Sequence, residues 1–183
     1  MVTHVTTYYL EMTDPNAPRP SMVTKQTLSI KQVHLPSPEF SRFLYTAVGG
    51  DWYWTDRLPW THKQWSEWVD RSTLKTWVAY VCGTPAGYFE LDGPVDGNVE
   101  IASFGLLPSF VGKGLGGYLL TVTIDKAWNM DASRVWLHTC TLDHPSALAN
   151  YLARGFRVYR EELSRRDLLG HPPGPWPGAR DLL

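Results

Sequence analysis

The chain has 183 residues, enough for one domain with a substantial core, and 17 Lys and Arg against 18 Asp and Glu give it a formal net charge of −1. That balance argues against the electrostatic footprint of a nucleic-acid or anionic-membrane binder, and no apolar run is long enough for a membrane span. With no secretory signal at the start, Cys82 and Cys140 are expected to be buried thiols in a reducing, cytoplasmic setting, and no metal site is read.

In chain order, Val5 to Met12 is β-rich, and three prolines among Pro15, Pro18 and Pro20 then break regular structure. Residues 1–24 therefore read as an N-terminal strand and proline-rich loop. Gln26 to Val33 alternates Leu28 and Ile30 with polar neighbours, as a half-buried strand does. Ser37-Pro38-Glu39 starts a helix that carries Phe40, Phe43, Leu44 and Ala47 at helical spacing and ends at Gly49-Gly50. The segment from Asp51 to Trp60 is too aromatic for a solvent loop and too irregular for a strand. Thr61 caps a second helix, Lys63 to Arg71. Leu74 to Val81 and Pro85 to Leu91 form a hairpin about Cys82-Gly83-Thr84, and Asp92 to Gly97 is a further turn. A strand from Val99 to Leu107 leads into a glycine-rich mouth and a helix with a broad apolar face built on Leu115, Leu119, Leu120, Ile124 and Trp128. Arg134 to Cys140 is a strand, Pro145 opens a helix closed by Gly155, and Phe156 to Tyr159 starts a last strand. Residues 164–183, rich in proline and glycine, read as an extended tail.

The glycine-rich mouth carries the first functional signal. Gly112, Gly114, Gly116 and Gly117 clear side chains from a helix start whose unpaired N–H groups and partial positive charge suit a pyrophosphate, with Lys113 as a nearby charge. Gly112-x-Gly114-x-x-Gly117 also fits a dinucleotide fingerprint, but the acid expected at the end of the next strand, near His138 to Cys140, is missing. A Walker-type loop needs Gly-Lys-Ser or Gly-Lys-Thr, which is absent. Val111 followed by Gly114-Leu115-Gly116 instead resembles the acyl-CoA motif of the GNAT superfamily of N-acetyltransferases, with Val111 where Arg or Gln is usual. A second stretch, His144 to Phe156, is similar to a further family motif: Ala147, Tyr151, Gly155 and Phe156 keep its spacing, and His144 stands at its usual Asn position.

The resemblance covers about residues 26 to 163. It implies an α+β, α/β/α-layered fold with a mixed, mostly antiparallel central sheet flanked by helices, in an acetyltransferase domain over 25–163. It implies acetyl-CoA as cofactor, held by Leu106, Leu107, Val111, Gly112, Lys113, Gly114, Leu115, Gly116, Gly117, His144, Ala147 and Tyr151. The activity it implies is N-acetylation of a small-molecule amine by direct attack in a ternary complex. A backbone N–H of Leu106 or Leu107 would polarise the carbonyl where the strand bulges and splays. Tyr151 matches the family's general acid, against a plain packing role.

Glu100 interrupts an apolar strand and is the first candidate for the base; an edge salt bridge is its other reading, and His138 is the alternative base. The acceptor pocket is expected to draw on Trp52, Tyr53, Trp54 and Trp60, with Asp56 for an ammonium and Arg57 for a carboxylate, or with Asp56 and Arg57 paired to each other. Glu100 and His138 complete the expected acceptor set. A homodimer is left open. The competing function is a non-catalytic acyl-CoA-binding or interaction module of the same fold, which Val111 and His144 would favour.

Overall fold

The computed structural model describes residues 2–21, 28–168, 170–176 and 178–179. The elements run β1 (Val2–Met12), β2 (Ser29–Gln32), α1 (Pro38–Gly49), α2 (His62–Val69), β3 (Leu74–Val81), β4 (Thr84–Val95), β5 (Asn98–Leu106), a 3-10 turn (Pro108–Phe110), α3 (Leu115–Trp128), β6 (Arg134–Cys140), α4 (Ala147–Ala153) and β7 (Arg157–Asp167). All seven strands join one sheet in the order β2-β3-β4-β5-β6-β1-β7, antiparallel except for β5 beside β6. This is the mixed, layered α+β architecture expected.

Local chemistry accounts for the helices. Ser37 caps α1 by accepting from the Phe40 N–H at 3.2 Å. Thr61 caps α2 through a reciprocal capping box with Gln64. On one sheet face Leu44 and Val48 of α1 pack on Val78 and Tyr88. The fit is close, since a Cβ at Gly105 would lie 2.4 Å from Val48 Cγ1. On the other face α3 and α4 bury Leu119, Leu120, Ile124 and Tyr151 against Leu10, Phe89, Leu91, Val99 and Leu137, which form the main core.

Several boundaries differ from the sequence reading. Asp92 lies within β4, which continues through Pro94 to pair Val95 with Asn98, so the turn is confined to Asp96 and Gly97. α2 covers His62–Val69, one residue earlier at its start and two shorter at its end than expected. β2 is shorter than the run from Gln26 to Val33; Gln26 and Thr27 lie outside the described residues. β7 runs on to Asp167, pairing residues first read as tail with Val2–Val5. Beyond it, Gly174 is buried and donates its N–H to the Gly50 carbonyl at the end of α1. Cys82 is exposed at the β3–β4 turn rather than buried, and Cys140 is half-buried.

The sheet opens between β5 and β6. β5 and β6 pair only over Asn98–Arg134, Val99–Val135 and Glu100–Trp136. Beyond those pairs they lose contact and leave a cleft between residues 101–106 and 137–140.

Candidate active site

A cavity of about 810 Å³ fills that cleft. At one end its wall is backbone: Val111, Gly112, Gly114, Gly116 and Gly117 line it. Gly114 is the N-cap of α3 with φ of 77°, a left-handed conformation that L side chains resist, and no side chain caps the helix. The first-turn N–H groups of α3 are thus free of a side-chain cap, and a Cβ at Gly112 or Gly114 would meet only open space. These features fit an anionic pyrophosphate.

From the cradle the wall passes along β5. A bulge between Ile101 and Ser103 leaves Ala102 as the extra residue opposite Leu91 and Glu90. Leu107 donates its N–H to the Ala86 carbonyl at 2.9 Å, while Leu106 stands opposite Gly87. In an antiparallel ladder this turns the Leu106 N–H away from β4 and toward the cleft. Leu106 lines the cavity; Leu107, expected as an equal candidate, has its N–H committed elsewhere.

Tyr151 faces Leu106 across the cleft from α4. Its ring is 7% exposed and meets Phe104 and Phe156 edge-on. Burial, with help from Asp143, pushes its phenol far above the usual range, so it is a neutral proton donor at physiological pH. His144, also in the wall, accepts the Ser146 N–H on Nδ1 at 3.0 Å and so supports the start of α4.

At the far end the wall is made of side chains. Trp52, Tyr53, Trp54, Asp56 and Arg57 enter from the α1–α2 loop, His138 and Cys140 from β6, Thr7 and Tyr9 from β1, and Arg166 from β7. A Cβ on Gly49 would sit 2.3 Å from the Trp54 ring, so glycine lets the loop fold back on α1. The Trp54 indole N–H then donates to Asp143 Oδ1 at 3.2 Å. Asp143 Oδ2 accepts from Thr139 Oγ1 at 2.7 Å and from the Cys140 N–H at 2.9 Å.

Residues 37–156 match the acetyltransferase (GNAT) family. The chain belongs to that family. No curated protein matches it. Similar solved structures include a GCN5-related N-acetyltransferase from Kribbella flavida, with 20% identity, a TM-score of 0.64, and coverage of 93% of this chain and 61% of that one. A second, from Sphaerobacter thermophilus, has 16% identity, a TM-score of 0.66, and covers 88% of this chain and 51% of that one. An aminoglycoside acetyltransferase from an uncultured soil metagenomic sample, solved with trehalose, has 13% identity, a TM-score of 0.57, and coverage of 69% and 86%. At these identities the likeness is one of fold, and the chain spans only about half to three-fifths of the length of the first two. GNAT proteins use an acyl-CoA donor, which the glycine cradle fits. No helix among the described residues is long and apolar enough to cross a membrane.

Within this GNAT frame the structure gathers most of the expected residues and displaces a few. Lys113 and Leu115 are outside the cavity wall: the Lys113 amine sits 5.3 Å from the Phe110 ring centre, and Leu115 is fully buried. Trp60 turns away from the acceptor end and packs on Trp65 and Trp68. Arg57 does not pair with Asp56. Its Nη1 donates to Glu90 at 3.1 Å, and its guanidinium lies 3.8 Å from the centre of the Trp68 ring. Glu90 is 1% exposed and also accepts from Ser103 Oγ at 2.9 Å, Ser41 Oγ at 3.3 Å and Trp68 Nε1 at 3.4 Å. Four donors satisfy this buried charge, and it ties the loop, α1 and α2 to the sheet.

Glu100 does not line the cavity. It stands behind His138, with its Oε1 3.9 Å from Nδ1, too far for a direct hydrogen bond but close enough to act on the ring's charge. Opposite Glu100 across β4 is Asp92, itself paired with Arg71 at 2.6 Å. Burial first and Asp92 second raise the Glu100 pKa. Partial desolvation lowers that of His138, whose side chain stays 53% exposed, against the pull of Asp143 and Asp56. Tyr9, Tyr45, Phe104, Asp143 and Arg166 also line the cavity, and nothing in their own sequence neighbourhoods marks them; Asn150, also in the wall, lies inside the His144 to Phe156 motif but is not one of its spaced positions.

Proposed function

We propose that the protein acetylates the amine of a small molecule, with acetyl-CoA as donor, by direct attack in a ternary complex. The observation that carries this reading is the continuity of one cavity from the glycine cradle, past the Leu106 N–H and Tyr151, to the aromatic pocket at His138. Two substrates could meet there without leaving the protein. When bound, acetyl-CoA supplies the acyl group and a thiol leaving group.

The chain's own residues would then divide the work. Val111, Gly112, Gly114, Gly116 and Gly117, with Ala147 and His144 opposite, would hold the donor. The Leu106 N–H would donate to the thioester oxygen, where negative charge builds as the amine attacks. Tyr151 would give its phenolic proton to the departing sulfur. His138, its pKa lowered by partial desolvation, would take the proton from the ammonium through one ring nitrogen, and Glu100 beside it would stabilise the imidazolium that results. This moves the base from Glu100 to His138 and makes Glu100 a positioning residue.

Cys140 also lines the cavity, and a thioester on it would give a two-step route. Burial and Asp143 raise its thiol pKa, which leaves little thiolate for attack and favours the direct route. The test is a thiol-release assay over a panel of amines, with mass spectrometry of the products. Acetylated amine and stoichiometric thiol are expected. Tight acetyl-CoA binding by calorimetry with no turnover on any amine would instead indicate a binding module.

A further inference from the structure

Two charged side chains in the cavity wall are left uncommitted by the protein. Arg57 is held by Glu90 and the Trp68 face, and Asp143 by Trp54, Thr139 and the Cys140 N–H. Among the described residues no hydrogen bond or ion pair engages the Asp56 carboxylate or the Arg166 guanidinium, and both residues are exposed. Register explains how Arg166 reaches the site. β7 places Glu162 opposite Thr7, Ser164 opposite Val5 and Arg166 opposite Thr3, so Arg166 shares the sheet face of Thr7 and Tyr9. On that face Arg160 pairs with Glu162 at 2.5 Å and Ser164 Oγ donates to the Val5 carbonyl, which leaves Arg166 as the free cation of the set.

Asp56 and Arg166 act on His138 in opposite senses, the first raising and the second lowering its pKa, so both are within electrostatic reach of the ring. β7 is two strands from β6, about 10 Å across the sheet at ordinary strand spacing. Arg166, opposite Thr3, stands six residues along β1 from Tyr9, the partner of His138, so it is the long arginine side chain that carries the charge to the cavity wall. A negative and a positive group thus share the wall of the cavity with His138. Trp52 and Trp54 line the same cavity.

We propose that the acceptor is an amino-acid-like zwitterion, its amine placed at Asp56 and His138 and its carboxylate held by Arg166, with an apolar body against Trp52 and Trp54. A single guanidinium fork matches a carboxylate. Asp56 and Asp143 nearby disfavour a doubly charged phosphate. The inference rests on the acetyl-transfer reading above and assigns its substrate class.

The test compares kcat/KM for free amino acids and their amides, in matched pairs with aromatic, aliphatic and ω-amino bodies, and includes aminoethyl phosphate. The acids are expected to exceed their amides by about tenfold or more, the scale of one charge-assisted hydrogen bond. In Arg166→Gln that ratio should fall toward one, mainly through KM of the acids, with Arg166→Lys between. Circular dichroism and acetyl-CoA affinity check that each variant is folded. A ratio near one in the wild type, or an unchanged ratio in Arg166→Gln, overturns the assignment while leaving acetyl transfer standing. So does a preference for aminoethyl phosphate. Absence of turnover on every amine overturns both readings together.

Discussion

The end of the cavity proposed for the donor is built from backbone and the end proposed for the acceptor from side chains, and the two follow different rules. At the donor end, the chain only has to leave N–H groups free and keep Cβ atoms away, so a local run of glycines suffices. The acceptor end collects groups from the α1–α2 loop, β6, β1 and β7, which span nearly the whole chain. It depends on topology and on a buried frame that holds the loop in place. Mutations at the donor end should therefore act on cofactor affinity one N–H at a time, and mutations in the acceptor frame should act on the fold.

The largest effect is expected at that frame. Glu90→Ala removes the acceptor of four donors and strands the Arg57 cation in a partly buried site. Breaking a buried pair from one side costs about 3–5 kcal/mol, to be read from urea unfolding. A loss below about 1 kcal/mol, the scale of an exposed pair, would mean the loop is held some other way. Next is Tyr151→Phe, which keeps the ring packed on Phe104 and Phe156 and removes only the hydroxyl that would donate the proton. Single-turnover rates should fall by about 10²-fold or more, with acetyl-CoA affinity little changed. An unaltered chemical step would return Tyr151 to packing alone. The smallest of the three is Gly114→Val. Forcing a β-branched residue to a φ of 77° costs about 1–3 kcal/mol, which the loop can escape by leaving the cradle geometry. Calorimetry should show acetyl-CoA binding weakened about tenfold or more in a folded protein. Unchanged affinity would mean that the glycines form only a turn.

The same contrast explains what the sequence could show. The Arg134–Cys140 strand, the Ser37 and Thr61 caps and the glycine-rich start of α3 are written in neighbouring residues, and the structure has each of them where the sequence places it. The place of β1 between β6 and β7 depends on pairing across more than 120 residues, as in Leu10 with Leu137, and no local pattern encodes it. Arg57 suggested Asp56 as a partner because it is adjacent, yet a side chain leaving a loop can reach Glu90, 33 positions away. Arg166 looks like one more arginine in a charged strand; only the register of β7 on β1 puts it on the cavity face. Trp60 failed for a related reason. Aromatic composition marked the segment as buried, but not which of its rings face the cavity and which face α2.

The comparison sharpens most at Glu100, which belongs to neither end. Glu90, one strand over on the same sheet face, is surrounded by donors; Glu100 faces another carboxylate, Asp92. Its pKa in the folded protein is raised above the ordinary 4.5, so the folded state binds its proton more tightly than the unfolded chain does. The sign follows from linkage: any advantage is present below the unfolded value and is lost as pH rises through the folded one. At neutral pH the ionised Glu100 is therefore a burden on stability. Glu100→Gln should melt at the same temperature as the wild type or higher at pH 7, with the gap closing near pH 4. Its effect on catalysis should run the other way. Without the carboxylate behind the ring, His138 would hold a proton less well, so the acidic limb of the kcat/KM profile should move to lower pH, and the rate on the plateau should fall by less than the 10²-fold expected for losing the base itself. A variant that is less stable at neutral pH and keeps the wild-type profile would make Glu100 a structural ion-pair partner and leave His138 to act alone.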